Sequence, residues 1–276
     1  MFGHGSFYFG ITDKMINYFG TVFNDVNITR RDGSGNIIQL VKVPLTYGPK
    51  RKDLLRADIL NPEEEREPAI VLPSMSFVYN TSVYDSDRKL GTTRRYWRKD
   101  ESDNDRAKLM YNLVPYNFMF SLFAYAKNQE DGFKIKEQLL PFFSPEWTAT
   151  VNLIPEISLQ MDLPIVLDDM TYEDNFEGNM TDRRSIVYTY NFHIKGYYAC
   201  PIVSKPIIKL ANVNFYTGEP GDASDAFYNL QVIPGMDANG NPTSNSAISV
   251  PSSNIAMDDN YGYIITEFDQ AANTGI

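Results

Sequence analysis

The sequence predicts an α+β fold: a largely antiparallel or mixed sheet flanked by helices, with a charged hairpin or arm and an extended C-terminal tail. Three observations predict it. Apolar and polar residues alternate with period two in several segments, as half-buried strands require. Two other segments carry the helical period instead, and runs of strands with helices set apart point to a largely antiparallel sheet. From about residue 217 onward glycine, asparagine, serine, proline and aspartate dominate, a composition that buries little core and is expected to order only against a partner.

Residues 11–24, ITDKMINYFGTVFN, place Ile11, Met15, Ile16, Phe19, Val22 and Phe23 on one helical face, with Thr12 or Asp13 near the start. Residues 27–31 and 37–43 flank the turn sequence DGSGN and predict a β-hairpin, which Pro44 ends. A short helix is expected over 51–59, followed by the solvated loop NPEEEREP. Residues 69–84 read as strand, with Val71, Met75, Phe77 and Tyr79 as apolar positions. Residues 85–106 alternate acids with arginines and predict a protruding hairpin or arm. Strands are expected at 108–114 and 116–126, the second with Tyr116, Phe118, Phe120, Leu122 and Ala124 on one face.

Residues 128–143 form the clearest helical pattern. Asn128 stands at the capping position, and Glu130 and Asp131 lie where the helix dipole favours acids. Pro141 and Pro145 mark its end. Residues 147–154, 157–167 and 185–198 read as three further strands, the last two joined by an acidic loop over 168–182. The expected organisation is one α+β domain over 1–217, with 85–106 as the arm, and an extended segment over 218–276.

Composition narrows the function. The net charge is −10, from 35 acidic and 25 basic residues. An acidic chain repels phosphate, so no sequence-specific nucleic-acid binding is expected. The run Lys50, Arg51, Lys52 reads as a solvated face. A single cysteine, Cys200, excludes an intrachain disulfide and argues against a thiolate zinc cluster. The N-terminus lacks a signal-peptide pattern, and the longest apolar run, FMFSLFAYA, falls short of the roughly 18–20 residues that span a bilayer. A soluble protein with no membrane partner is expected.

Chemistry-bearing motifs are sparse. The only histidines are His4 and His193, fewer ligands than a zinc hydrolase usually gathers, and His193 sits in the alternating strand run YTYNFHIKGYY. Neither phosphate-cradling glycine loops nor a nucleophile elbow is present. The acidic stretch with Asp168, Asp169, Glu173, Asp174 and Glu177 lacks calcium-loop spacing and reads as a hydrated surface loop. A glycosidase pair of carboxylates, which meets only in three dimensions, stays open. No catalytic, cofactor-binding or metal-ligating residue is assigned. Tyrosine and phenylalanine are abundant (18 and 17 residues), and together with the arm and the tail they favour an interaction protein over an enzyme.

Several segments, in order and spacing, resemble one family. They are the opening MFG with FYFG, VPLTYGPK at 43–50, LPSMSF at 72–77, FMFSLFAYAKNQEDGFKIKEQLLPFFSP at 118–145, IPEISLQMDLPIVL at 154–167 and TDRRSIVYTYNFHIKGYYACP at 181–201. The chain resembles the tail sheath stabiliser and completion proteins, or tail terminators, of contractile-tailed bacteriophages (myoviruses). The likeness runs from residue 1 to about 201 and does not extend through the tail. It implies a sheet flanked by helices and a ring, a hexamer, at the tail–neck junction of the virion. The ring would cap the tail tube and the last sheath ring, hold the sheath extended and present the tail to the neck proteins, with DNA passing through it. Its implied partners are further copies of itself, the sheath protein, the tube or tube-capping protein and the neck proteins. Pro44, Thr46, Tyr47 and Lys50 match the family's strand-loop motif, and Arg183 and Arg184 its double arginine. Lys50, Arg183 and Arg184 are therefore expected at subunit or sheath contacts; the alternative makes Pro44 and Tyr47 turn and core residues and pairs the arginines with acids such as Asp182. Competing readings are another neck or tube-capping connector, a hydrolytic enzyme and a receptor-binding module.

Overall fold

A computed structural model describes residues 7–49, 72–175, 185–216 and 228–269. The short helix expected at 51–59 and the loop after it lie outside these residues. The described residues form fourteen strands and two α-helices. The fold is therefore mostly β, and the expected α+β sheet flanked by helices is corrected. The chain divides into two compact units, Met1–Gly91 with Leu113–Ala199, and Thr92–Asn112 with Cys200–Ile276.

In the first unit a six-stranded sheet runs in the order β3-β4-β7-β10-β9-β8. Its strands are β3 (Leu45–Tyr47), β4 (Ser74–Tyr84), β7 (Val114–Ala126), β8 (Glu146–Ile154), β9 (Leu159–Asn175) and β10 (Ser185–Tyr198). Only β3 pairs in parallel, with β4; every other pairing is antiparallel. Helix α1 (Ile11–Phe23) buries Ile11, Met15, Phe19 and Phe23. Each contributes about 1.5–3 kcal/mol on leaving water. Gly10, at φ 60°, precedes the helix in a left-handed conformation that suits glycine.

Helix α1 packs against β3 at one edge of the sheet, β10 inside it and β8 at the other edge. Flat, a six-stranded sheet would separate its edges by about 24 Å, twice the diameter of a helix. Contact with both edges therefore requires the sheet to curl around α1. Phe19 sits at the focus of the curl, 4.6 Å from Phe120 and Phe23, 5.3 Å from Phe77 and 5.5 Å from Phe192, ring centre to ring centre.

Helix α2 (Gln129–Leu139) ends in a 3-10 turn over Leu140–Phe142, so the helical pattern read to residue 143 is shorter than expected. Asn128 occupies the capping position in extended conformation, but its side chain makes no cap hydrogen bond. Gly132 of α2 lies directly on the ring of Tyr188, which leaves no room for a Cβ. Tyr188 and Phe192 alternate along β10 and share a face. Both helices therefore lie on the same side of the sheet, which is why the flanked arrangement fails. Tyr190, between them, is fully buried, and its hydroxyl, like that of Tyr188, has no hydrogen-bond partner among the described residues. Burial pushes both phenols up from their ordinary pKa. The hairpin of β1 (Asn27–Arg31) and β2 (Ile37–Lys42) forms as expected, its turn held by Asp32, which accepts from the amides of Ser34 and Asn36 at 2.9 Å.

In the second unit β5 (Arg95–Lys99), β6 (Arg106–Tyr111) and β11 (Ile202–Pro206) form one antiparallel sheet in the order β11-β6-β5. Strands β12 (Ala211–Phe215), β13 (Tyr228–Gly235) and β14 (Gly262–Asp269) form another. The stretch read as an extended tail thus supplies two paired strands. Ile264 of β14 is buried, and backbone bonds such as Val250 N–H to the Met236 carbonyl at 2.8 Å close the loop between β13 and β14.

Replacing Gly132 by alanine drives a methyl into Tyr188 across a packed interface. Gly132→Ala is expected to lower stability by about 1–3 kcal/mol despite the better helix propensity of alanine, read as a lower urea midpoint at unchanged slope. An unchanged or higher midpoint would mean that α2 is not seated on β10 as described.

Candidate assembly surfaces

The face of the large sheet turned away from the helices carries a chain of polar side chains crossing four strands. The Asn80 amide donates to Ser121 Oγ at 2.8 Å, the Ser121 hydroxyl donates to Asn191 Oδ1 at 2.8 Å, and the Asn191 amide donates to Asp169 Oδ1 at 2.6 Å. All the donors run one way and end on a carboxylate, the arrangement in which neighbouring bonds polarise one another. Two irregularities build it. A register shift between Tyr79 and Thr81 leaves Asn80 as the extra residue of β4 on this face. A second, opposite Asn191 and Phe192, leaves Asp168 as the extra residue beside Asp169. Asp168 Oδ1 meets His193 Nδ1 at 2.7 Å. Beyond it, Lys195 reaches Glu146 at 3.0 Å.

The acids Asp168 and Asp169, read as part of a surface loop, therefore stand on β9, held by partners on β10. Each carboxylate is engaged by a neighbouring strand. Among the described residues no group of three or more histidine, cysteine, aspartate or glutamate side chains is arranged to hold a metal ion. What this face offers is a fixed array of polar groups. Ser121 and Asn191 were legible only as polar residues at outward-facing positions of otherwise apolar strands.

Near the end of β4, Asp85 and Arg88 close a second polar cluster. Arg88 Nε donates to Asp85 Oδ2 at 2.7 Å, its Nη2 donates to Asn117 Oδ1 at 2.8 Å, and its guanidinium lies 5.2 Å from the Tyr197 ring centre. The Arg88 hydrogen bond, helped by backbone amides and the guanidinium charge, holds the Asp85 carboxyl below its ordinary pKa.

A third surface is apolar. On β2, Ile37, Ile38 and Leu40 are 60%, 68% and 66% exposed. The opposite face of the hairpin buries Ile28 and anchors Arg30 to Asp131 of α2 at 3.2 Å. The two edges differ. The edge of β1 is occupied by the side-chain amide of Gln138, which accepts from the Asn27 N–H at 3.3 Å and donates to the Asn27 carbonyl. The edge of β2 has no strand beside it among the described residues. Aliphatic side chains along an open strand edge are a template for pairing with another chain.

The sequence-predicted contact residues Lys50, Arg183 and Arg184 lie outside the described residues. Of the strand-loop motif, Pro44 is exposed, and Thr46 Oγ1 donates to the Met75 carbonyl at 3.4 Å. Tyr47 is half-exposed and packs edge-on against Phe77 at 5.2 Å.

Ser121→Ala would remove the hydroxyl that links the exposed Asn80 amide to the half-buried Asn191 Oδ1. It is expected to cost about 0.5–1.5 kcal/mol in urea denaturation; no measurable loss would show that the relay is not formed. Because the folded-state pKa of Asp85 is depressed, its contribution is full above the unfolded-state value and disappears as pH falls through the folded one. Urea midpoints between about pH 7 and about pH 2.5 should therefore fall less steeply at the acid end in Asp85→Asn than in the parent. Parallel curves would contradict the ion pair.

Comparison with known proteins fits an assembly protein. The family model of the T4-like virus Myoviridae tail sheath stabiliser matches residues 6–269, which carries the likeness beyond residue 201 and through the C-terminal strands. The tail completion protein gp15 of Enterobacteria phage T4 is 23% identical over 245 residues, covering 85% of this chain and 88% of that protein. With the match extending over nearly the whole chain, this protein belongs to the tail sheath stabiliser family and is a structural component of a bacteriophage tail.

Proposed function

We propose that this chain forms a ring, a hexamer, at the head-proximal end of a contractile tail. There it caps the tube and the last sheath ring, holds the sheath extended and offers the surface to which the neck and head join. Family membership carries this reading. The exposed aliphatic edge of β2 supports it, as a surface suited to contact between subunits. Lys50, Arg183 and Arg184, at the family-like motif positions, are proposed at subunit or sheath contacts.

The physics of such a ring is simple. A head-to-tail interface whose rotation closes limits its own growth. The ring stabilises the extended sheath only by binding it more tightly than the contracted one. Moving a two-state equilibrium from 1:99 to 99:1 takes about 5.5 kcal/mol, or about 1 kcal/mol at each of six contacts. Contacts of ordinary strength suffice when six act together.

Particles made without this chain should show headless tails with contracted or lost sheaths in negative-stain electron microscopy, and added protein should restore intact particles. The double variant Ile38→Lys, Leu40→Lys should keep its far-UV circular dichroism and fail to restore them. Normal head-attached tails without the chain would overturn the proposal, and full rescue by the double variant would remove the hairpin from it.

A further inference from the structure

Strand β5 is the free edge of its sheet, with β6 on one side and no strand on the other among the described residues. The segment that contains it, Arg94-Arg95-Tyr96-Trp97-Arg98-Lys99, carries four cations in six residues of a chain whose net charge is −10. Lys99 stands 3.8 Å from Asp258, while Arg94, Arg95 and Arg98 are exposed and have no carboxylate partner among the described residues. Two of these arginines rest on aromatic rings, Arg94 5.4 Å from Tyr96 and Arg95 5.4 Å from Tyr111. Trp97 and Tyr111, 44% and 46% exposed, share one face with Arg95.

The register exposes a second anomaly. Arg98 stands directly opposite Lys108 on β6. Like charges facing each other across a strand pair destabilise it. The Asp100 carboxylate acts on Lys108 through space, but it is held by the Ser102 and Ser204 hydroxyls at 2.7 and 3.1 Å and makes no salt bridge with either cation. A carboxylate supplied from outside would relieve this repulsion.

We infer that the free edge of β5 is a docking site for an extended, carboxylate-rich segment of a partner protein, added as a further strand. The backbone groups of the edge supply the ladder; Arg94 and Arg98 supply forks for alternate acidic side chains on one face, and Arg95 supplies one on the other. Arginine, tryptophan and tyrosine are the residues that dominate binding energy at protein interfaces. Charged residues also blunt strand edges against unwanted pairing; here they exclude apolar strands and admit an acidic one. A nucleic acid fits less well, because it offers no peptide backbone to pair with the strand edge. The inference gives a partner chemistry to the assembly reading, and its test involves no phage particle.

The full chain carrying Trp147→Phe, leaving Trp97 as its one tryptophan, is titrated with two synthetic peptides of alternating Glu-Val and Gln-Val, and with a single-stranded oligonucleotide, while Trp97 fluorescence is followed. The Glu-Val peptide should bind at least about tenfold more tightly than the Gln-Val peptide, and less tightly as salt rises. Arg95→Ala with Arg98→Ala should weaken it at least about tenfold at unchanged circular dichroism. Equal binding of the two peptides, binding of neither, or preference for the oligonucleotide would overturn the inference. So would self-association of the chain that the arginine substitutions abolish, which would assign the edge to a second copy.

Discussion

The large sheet is shaped by one aromatic side chain. Phe19 of α1 touches rings from its own helix and from β4, β7 and β10. Helix α1 also meets β3 and β8 at the two edges, which requires the sheet to bend around it, with Phe19 on the concave side. Everything on the opposite face follows from that curvature. The strands bulge where Asn80 and Asp168 turn outward, and a row of polar groups meets across four strands because the curved sheet holds them in register.

The local elements were largely legible. The spacing of Met15, Phe19 and Phe23 announced α1, and Asp32 to Asn36 announced the hairpin turn, because both depend on neighbours in sequence. The global class was not. A helix on one side of a sheet and helices on both sides give the same local periodicity, and only Gly132 seated on Tyr188 shows that α2 shares the face of α1. The acidic stretch misled for a related reason. Asp168 and Asp169 look like loop residues until β10 supplies His193 and Asn191 as partners. In the C-terminal region the short strand-like runs FYNLQVI and YIITEF are set among long glycine-, asparagine- and serine-rich stretches, and the overall composition read as a tail; pairing between β13 and β14 shows that these runs are strands.

An assembly protein puts its chemistry on its surfaces, and here the surfaces differ in kind. The outward face of the large sheet is polar, with its hydrogen bonds satisfied internally, so it presents fixed dipoles at little ordering cost. The β1–β2 hairpin presents aliphatic side chains beside an edge that no other strand covers among the described residues, while Gln138 occupies the other edge. The β5 edge presents arginine and tryptophan. Surfaces of unlike chemistry suit a component that must meet several different neighbours, because each patch rejects the partner of another.

The most direct measurement is high-resolution electron cryomicroscopy of intact tails carrying this protein. The account predicts density for this chain as a closed ring at the head-proximal end, in contact with the last sheath ring, with the Ile37–Leu40 edge covered by a neighbouring subunit. Density elsewhere on the particle, or a ring in which that edge faces solvent, would contradict it.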